Sequence, residues 1–180
     1  MSIDPHSQDA PQIKPAAWVQ KHSSLIPKSG QVLDLACGRG RHTRYLLQLR
    51  FKVLALDRDI SGLNDIASDS SLEIMSADLE AGGDSPFKGR RFAGVVVVNY
   101  LYRPLFDDLI AALDDGGVLI YQTFMVGNEE FGRPRNPDFL LQENELREVF
   151  GGELDVLDFE QGFVEQPTPA VMQKVCAVKG

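Results

Sequence analysis

The run DLACGRGRH, from Asp34 to His42, concentrates the residue types best suited to chemistry. It follows the apolar pair Val32-Leu33 and sets an acid four residues before the first of two glycines, Gly38 and Gly40. Glycine lacks a Cβ and enters left-handed backbone freely, so this spacing suits a tight strand-to-helix turn that a ligand can approach closely. Ala36 and Cys37 are small enough to allow the same approach. A lone cysteine without a base partner packs rather than attacks, so Cys37 has no nucleophilic role. Asp57 ends the run KVLALD, 17 positions beyond Gly40. A carboxylate only accepts hydrogen bonds, and one here can take both hydroxyls of a ribose. Arg58 either joins this candidate cofactor site or pairs with Asp57. A dinucleotide turn would read G-x-G-x-x-G, but the third position is Thr43, with an acid and a cysteine ahead of the glycines. A nucleoside cofactor fits better than a nicotinamide dinucleotide.

Elements must hold these residues at one edge. Residues 32–36, 52–57, 71–76, 93–99 and 117–124 read as short buried strands, separated by helix-sized intervals. The run AGVVVVN is the clearest, because β-branched residues suit a strand buried on both faces, and its end at Asn99 is a place for chemistry. PLFDDLIAALDD spaces Leu105, Leu109 and Leu113 four apart before Gly116-Gly117, which predicts a helix with a glycine stop. Alternating strands and helices predict an open, mainly parallel sheet with ligands at the strands' carboxyl ends. ENELREVFGG reads as a short helix. LDVLDFEQGF and AVMQKVCAV read as strands too close in sequence for a crossover helix, hence an antiparallel terminal hairpin with Pro167 and Pro169 in its connection. Between Phe124 and the last helix, MVGNEEFGRPRNPDFLL reads as a loop of the kind that shapes a site.

The 180 residues suit one domain, expected over residues 16–180 behind a flexible tail at 1–15. With 18 basic against 26 acidic residues the formal net charge is −8, which disfavours nucleic acid as a partner. The two cysteines and three histidines lack metal-ligand spacing, so no metal is expected. The first residues do not resemble a signal peptide and no run reaches membrane-spanning length, making cytoplasm the simplest location.

These motifs resemble the class I S-adenosylmethionine-dependent methyltransferases, and within them the small bacterial tellurite-resistance group, over about residues 30–178. VLDLACGRGRH corresponds to the family's cofactor loop and Asp57 to its ribose-binding acid. In SADLE, Asp78 matches the acid near the adenine amine and Leu79 the adjacent apolar contact. NYLYRPLF looks like the element leading from the methionine end toward substrate. The resemblance implies a Rossmann-like three-layer sandwich with a seven-stranded sheet whose last strand is inserted antiparallel. It also implies S-adenosylmethionine as cofactor, with Asp34, Ala36, Cys37, Gly38, Gly40, Asp57, Arg58, Asp78, Leu79 and Asn99 around it. The expected reaction is methyl transfer to a small acceptor, a selenium, tellurium or sulfur compound being favoured. A non-catalytic S-adenosylmethionine-binding regulator and a nucleotide-dependent oxidoreductase stand as alternatives. Arg39, Arg41, Arg103, Arg133 and Arg135 are candidates for an anionic acceptor, and Tyr100 and Tyr102 for its walls. Little material precedes the first strand, which favours a small-molecule substrate, with a homodimer partner as one way to complete the site.

Overall fold

The computed structural model describes residues 14–180, so nearly all of the tail expected over 1–15 lies outside the described residues. The elements are α1 (Ala17–His22), β1 (Gln31–Leu35), α2 (Arg41–Gln48), β2 (Lys52–Asp57), β3 (Leu72–Ser76) and β4 (Phe92–Val98). They continue with α3 (Phe106–Ala111), β5 (Leu113–Phe124), α4 (Glu145–Phe150), β6 (Asp155–Val164) and β7 (Ala170–Val178). One seven-stranded sheet runs in the order β3-β2-β1-β4-β5-β7-β6. β7 is antiparallel to both neighbours, and the pairs among β1 to β5 are parallel. This is the Rossmann-like class I methyltransferase fold, with the terminal hairpin where the strand patterns put it.

Side chains alternate across a strand, so two interleaved sets of residues build two cores. Leu33, Leu54, Val95, Leu119 and Tyr121 pack on one face with Leu109 of α3 and Leu146 and Phe150 of α4. Val32, Val53, Val96, Val118 and Ile120 pack on the other with Trp18 and Val19 of α1 and Leu46 of α2. Each such side chain contributes roughly 1.5–3 kcal/mol by leaving water. The sheet is thereby fixed between two helical layers, and the carboxyl ends of its parallel strands form one edge.

The connections differ from the expected alternation. Between β2 and β3 there is only a 3-10 segment, Ser61–Ile66, and between β3 and β4 no helix at all. The helix expected to run to the Gly116-Gly117 stop ends at Ala111. Leu105, Leu109 and Leu113 are all buried, as their spacing implied. Leu113, however, reaches the core by pairing with Phe92 as the first residue of β5, and the sheet register shifts before Gly94 pairs with Val118. Gly116, at φ +74°, and Gly117 serve that irregularity rather than a helix end. No described helix is long and apolar enough to cross a membrane.

Candidate functional site

The loop after β1 is set by left-handed backbone at Ala36, Gly38 and Gly40, with φ of 53°, 54° and 77°. A Cβ on Gly40 would lie 2.2 Å from Leu63 Cδ2, so packing as well as backbone requires glycine there. At Gly38 a Cβ would meet nothing within 4 Å, leaving its backbone angle as the constraint. The chain then enters α2, while Thr43 Oγ1 reaches back 2.5 Å to donate to Asp34 Oδ2. Asp34 is buried behind the loop, and burial pushes its carboxyl up to about 7 against the pull of the Thr43 hydrogen bonds. It therefore braces the turn from within. Burial also drives the Cys37 thiol well above its ordinary value, which suits packing and not nucleophilic attack.

Asp57, at the end of β2, is the hinge of the site. Its Oδ2 accepts from the Gly38 amide at 2.8 Å and its Oδ1 from the Asp59 amide at 3.0 Å. The carboxylate is thus oriented by the glycine loop and by its own turn, not by Arg58. Beyond β3, Asp78 Oδ1 accepts from the Glu80 amide at 2.9 Å, and Leu79 packs partly against the core. Beyond β4, Asn99 takes φ 58° and donates its amide to the Gln122 carbonyl. The Tyr100 hydroxyl donates to Glu80 Oε1 at 3.3 Å; burial first, then the Glu80 charge, raises its pKa.

These residues enclose a cleft of about 460 Å³ that joins Ala36, Asp57, Arg58, Asp78, Leu79, Asn99 and Tyr100. Two more cavities reach Asn99. One of about 200 Å³ runs past Thr123, Phe124 and Pro134. The other, of about 660 Å³, lies between α1 and the β6–β7 hairpin and includes Trp18, Arg41, Gln122 and Met172. Asn99 is the junction of all three.

The arginines separate. Arg41 is half-buried beside the large cavity. Arg39, Arg133 and Arg135 are exposed, the last two on the late loop, residues 125–141. Arg103 is committed elsewhere: its Nε and Nη2 bind Glu145 at 2.6 and 2.9 Å, and its Nη1 and Nη2 donate to the carbonyls of Asp138 and Leu140. Tyr102 packs partly against the core beneath. The late loop is also tied by Asn128, which is buried, accepts from the Val171 amide and donates to the Pro134 carbonyl. Sequence reasoning missed Phe139, Glu80 and Gln122 at the cavity walls. The sequence carried no signal for Phe139: in NPDFLL it is the first of three apolar residues, and only the fold shows that the two leucines are buried and it is not. Among the described residues no group of three or more His, Cys, Asp or Glu side chains is arranged to hold a metal ion.

TehB from Haemophilus influenzae has a similar structure, with a TM-score of 0.73 and 20% identity, over 91% of this chain and 61% of that one. The chain thus spans less than two thirds of that protein's length. The glycopeptide N-methyltransferase MtfA, complexed with (S)-adenosyl-L-methionine, matches at 0.64 and 20% identity over 100% of both chains. The N-methyltransferase NodS from Bradyrhizobium japonicum WM9 matches at 0.66 and 15%, over 89% of this chain and 93% of its own. At such identities these likenesses establish the fold. No curated protein sequence matches the chain. The family model described as tellurite resistance protein TehB matches residues 19–165, most of the chain and every element from the glycine loop to the late loop. With the cofactor-loop sequence, the inserted antiparallel strand and that match in agreement, the chain belongs to the TehB family.

Proposed function

We propose that this chain is an S-adenosylmethionine-dependent methyltransferase acting on a small anionic acceptor whose nucleophile is sulfur, selenium or tellurium. The observation that carries the reading is the junction at Asn99, where a cleft edged by Asp57, Asp78 and Leu79 meets two further cavities. Asp57 fits the ribose: each carboxylate oxygen accepts one backbone amide and keeps a further lone pair for a hydroxyl. Asp78 suits the adenine amine and Leu79 the ring. S-adenosylmethionine supplies a methyl group on a cationic sulfonium, open to a single displacement. The chain's own part is to align acceptor and methyl across Asn99 and to exclude water between them.

The large cavity carries the acceptor chemistry. Its ionisable lining residues among those described are Lys14, Arg41 and Lys174, with no carboxylate and no histidine. Lys174 is paired with Glu160 at 3.1 Å, which leaves the half-buried Arg41 and the exposed Lys14 as the other charges. Burial lowers the Arg41 pKa and the nearby Asp34 charge opposes that, without a hydrogen bond between them. Positive walls select an anion. No carboxylate or histidine lines this cavity, which suits a nucleophile that needs no base, as a soft chalcogen does. Arg133 and Arg135, exposed on either side of Pro134 at the smaller cavity, steer such an anion inward rather than hold it.

Incubation with methyl-labelled S-adenosylmethionine and a metabolite extract tests the reading. Label is expected in a small anionic product identified by mass. With that acceptor in hand, Arg41→Met should raise KM by roughly tenfold or more, the scale of a lost charge-assisted hydrogen bond. No labelled small product from a folded, cofactor-binding sample would count against the enzyme, and an unchanged KM against Arg41.

A further inference from the structure

Phe139 is 45% exposed, yet its backbone is fixed from both sides. The Arg103 guanidinium donates to the carbonyls of the residues immediately before and after it, Asp138 and Leu140, each at 2.9 Å. Glu145 holds the guanidinium in turn. The next residues, Leu140 and Leu141, are buried, and the Leu141 amide donates to the Phe124 carbonyl. An exposed aromatic on so constrained a main chain invites the question of what it contacts. The other exposed phenylalanines, Phe131 and Phe163, contact each other with ring centroids 5.0 Å apart. Phe139 instead borders the nucleoside cleft, where the other large side chains with apolar surface are Leu79 and Tyr100, the latter tied to Glu80 through its hydroxyl, and borders the neighbouring cavity of about 200 Å³ as well.

A purine has two apolar faces, and stacking on an aromatic ring is favourable for either one. We propose that Phe139 is the aromatic wall of the adenine site, complementing Leu79, and that Arg103 is the residue that positions it. This rests on the cleft's being the S-adenosylmethionine site. It gives the late loop a role in cofactor binding in addition to bordering the acceptor. It also explains why Arg103, four residues beyond Asn99, is spent on two carbonyls and a carboxylate instead of on substrate. The adenosine part of the cofactor would then depend on a segment more than sixty residues from Asp57 and Asp78 in the chain.

Calorimetric titration with S-adenosylhomocysteine and with 5′-methylthioadenosine separates the outcomes. Phe139→Ala should raise Kd for both ligands by roughly tenfold, the scale of one base–aromatic stack, while Phe139→Tyr stays within about twofold of wild type. Thermal melts should be unchanged by either substitution, because the side chain is exposed. If Arg103 acts through Phe139, Arg103→Met should raise Kd in the wild-type background and add nothing in the Phe139→Ala background. Equal Kd for wild type and Phe139→Ala would overturn the aromatic wall. Additive losses in the double variant would overturn the positioning role of Arg103. Failure of folded wild type to bind either ligand would strike the cleft assignment itself.

Discussion

At the scale of single residues, Asp57 carries the most weight because it does two things at once. It orients the glycine loop through the Gly38 amide and keeps acceptor capacity facing the cleft. Asp57→Ala should therefore weaken S-adenosylhomocysteine binding by about 1.5–3 kcal/mol, as expected for a charge-assisted hydrogen bond, with the fold retained by circular dichroism. Unchanged affinity in a folded variant would remove its ribose role. The two glycines divide by cause. Gly40→Ala forces a Cβ to 2.2 Å from Leu63 Cδ2 at φ +77° and should cost about 2–4 kcal/mol in denaturant unfolding. Gly38→Ala meets open space at φ +54° and should cost only about 1–2 kcal/mol, the backbone penalty alone. Equal costs would mean that Leu63 moves aside freely.

At the scale of elements, the β1–α2 turn contains two buried groups with opposite pH dependence. Asp34 rises from 3.8 to about 7, chiefly by burial, so the folded state holds its proton more tightly and this contribution is lost as pH climbs through that window. His42 falls from 6.5 to about 3, by burial and then by the Arg41 charge, so its contribution is present above 6.5 and is lost on acidification. Its Nε2 accepts the Ala16 amide, which suits the neutral ring. Where the windows overlap, each slope approaches ~1.4 kcal/mol per pH unit with opposite sign. Asp34→Asn leaves the His42 slope unopposed, so its denaturation midpoint should fall more steeply than wild type between pH 6 and pH 4.5, to within about half a unit. Parallel profiles would show that Asp34 does not titrate there. The same elements mark what a sequence reveals. The valine run of β4 was legible because β-branching and two-sided burial act locally, and so was the terminal hairpin, whose short connection forbids a crossover. The short α3 was not, because the spacing of Leu105, Leu109 and Leu113 encodes burial without saying whether Leu113 arrives by helix or by strand pairing with Phe92. The place of Asp57 at the end of a strand was legible from the run KVLALD, whereas Asp78 was singled out by the family resemblance of SADLE. Phe139 and the partners of Arg103 were not legible, because those contacts span 35 and 37 residues.

At the scale of the whole molecule, one sheet carries every part of the candidate site: the glycine loop, the acid that ends β2 and the one that follows β3, the junction after β4 and the late loop after β5 all meet at its carboxyl edge. The formal net charge of the chain is −8, while Lys14, Arg41 and Lys174 line the cavity proposed for the acceptor. On the proposed function, a small anion is drawn by local charge against an overall negative chain. Because β1, β4 and β5 share both cores, residues 16–180 should unfold in one cooperative transition. Saturating cofactor should shift that transition by about 2.7 kcal/mol at a hundredfold excess over Kd. The measurement that bears most directly on the cofactor site is calorimetric titration of the folded protein with S-adenosylhomocysteine. One saturable site per chain, lost or strongly weakened in Asp57→Ala, is the expected result. The absence of saturable binding, or binding indifferent to Asp57, would contradict it.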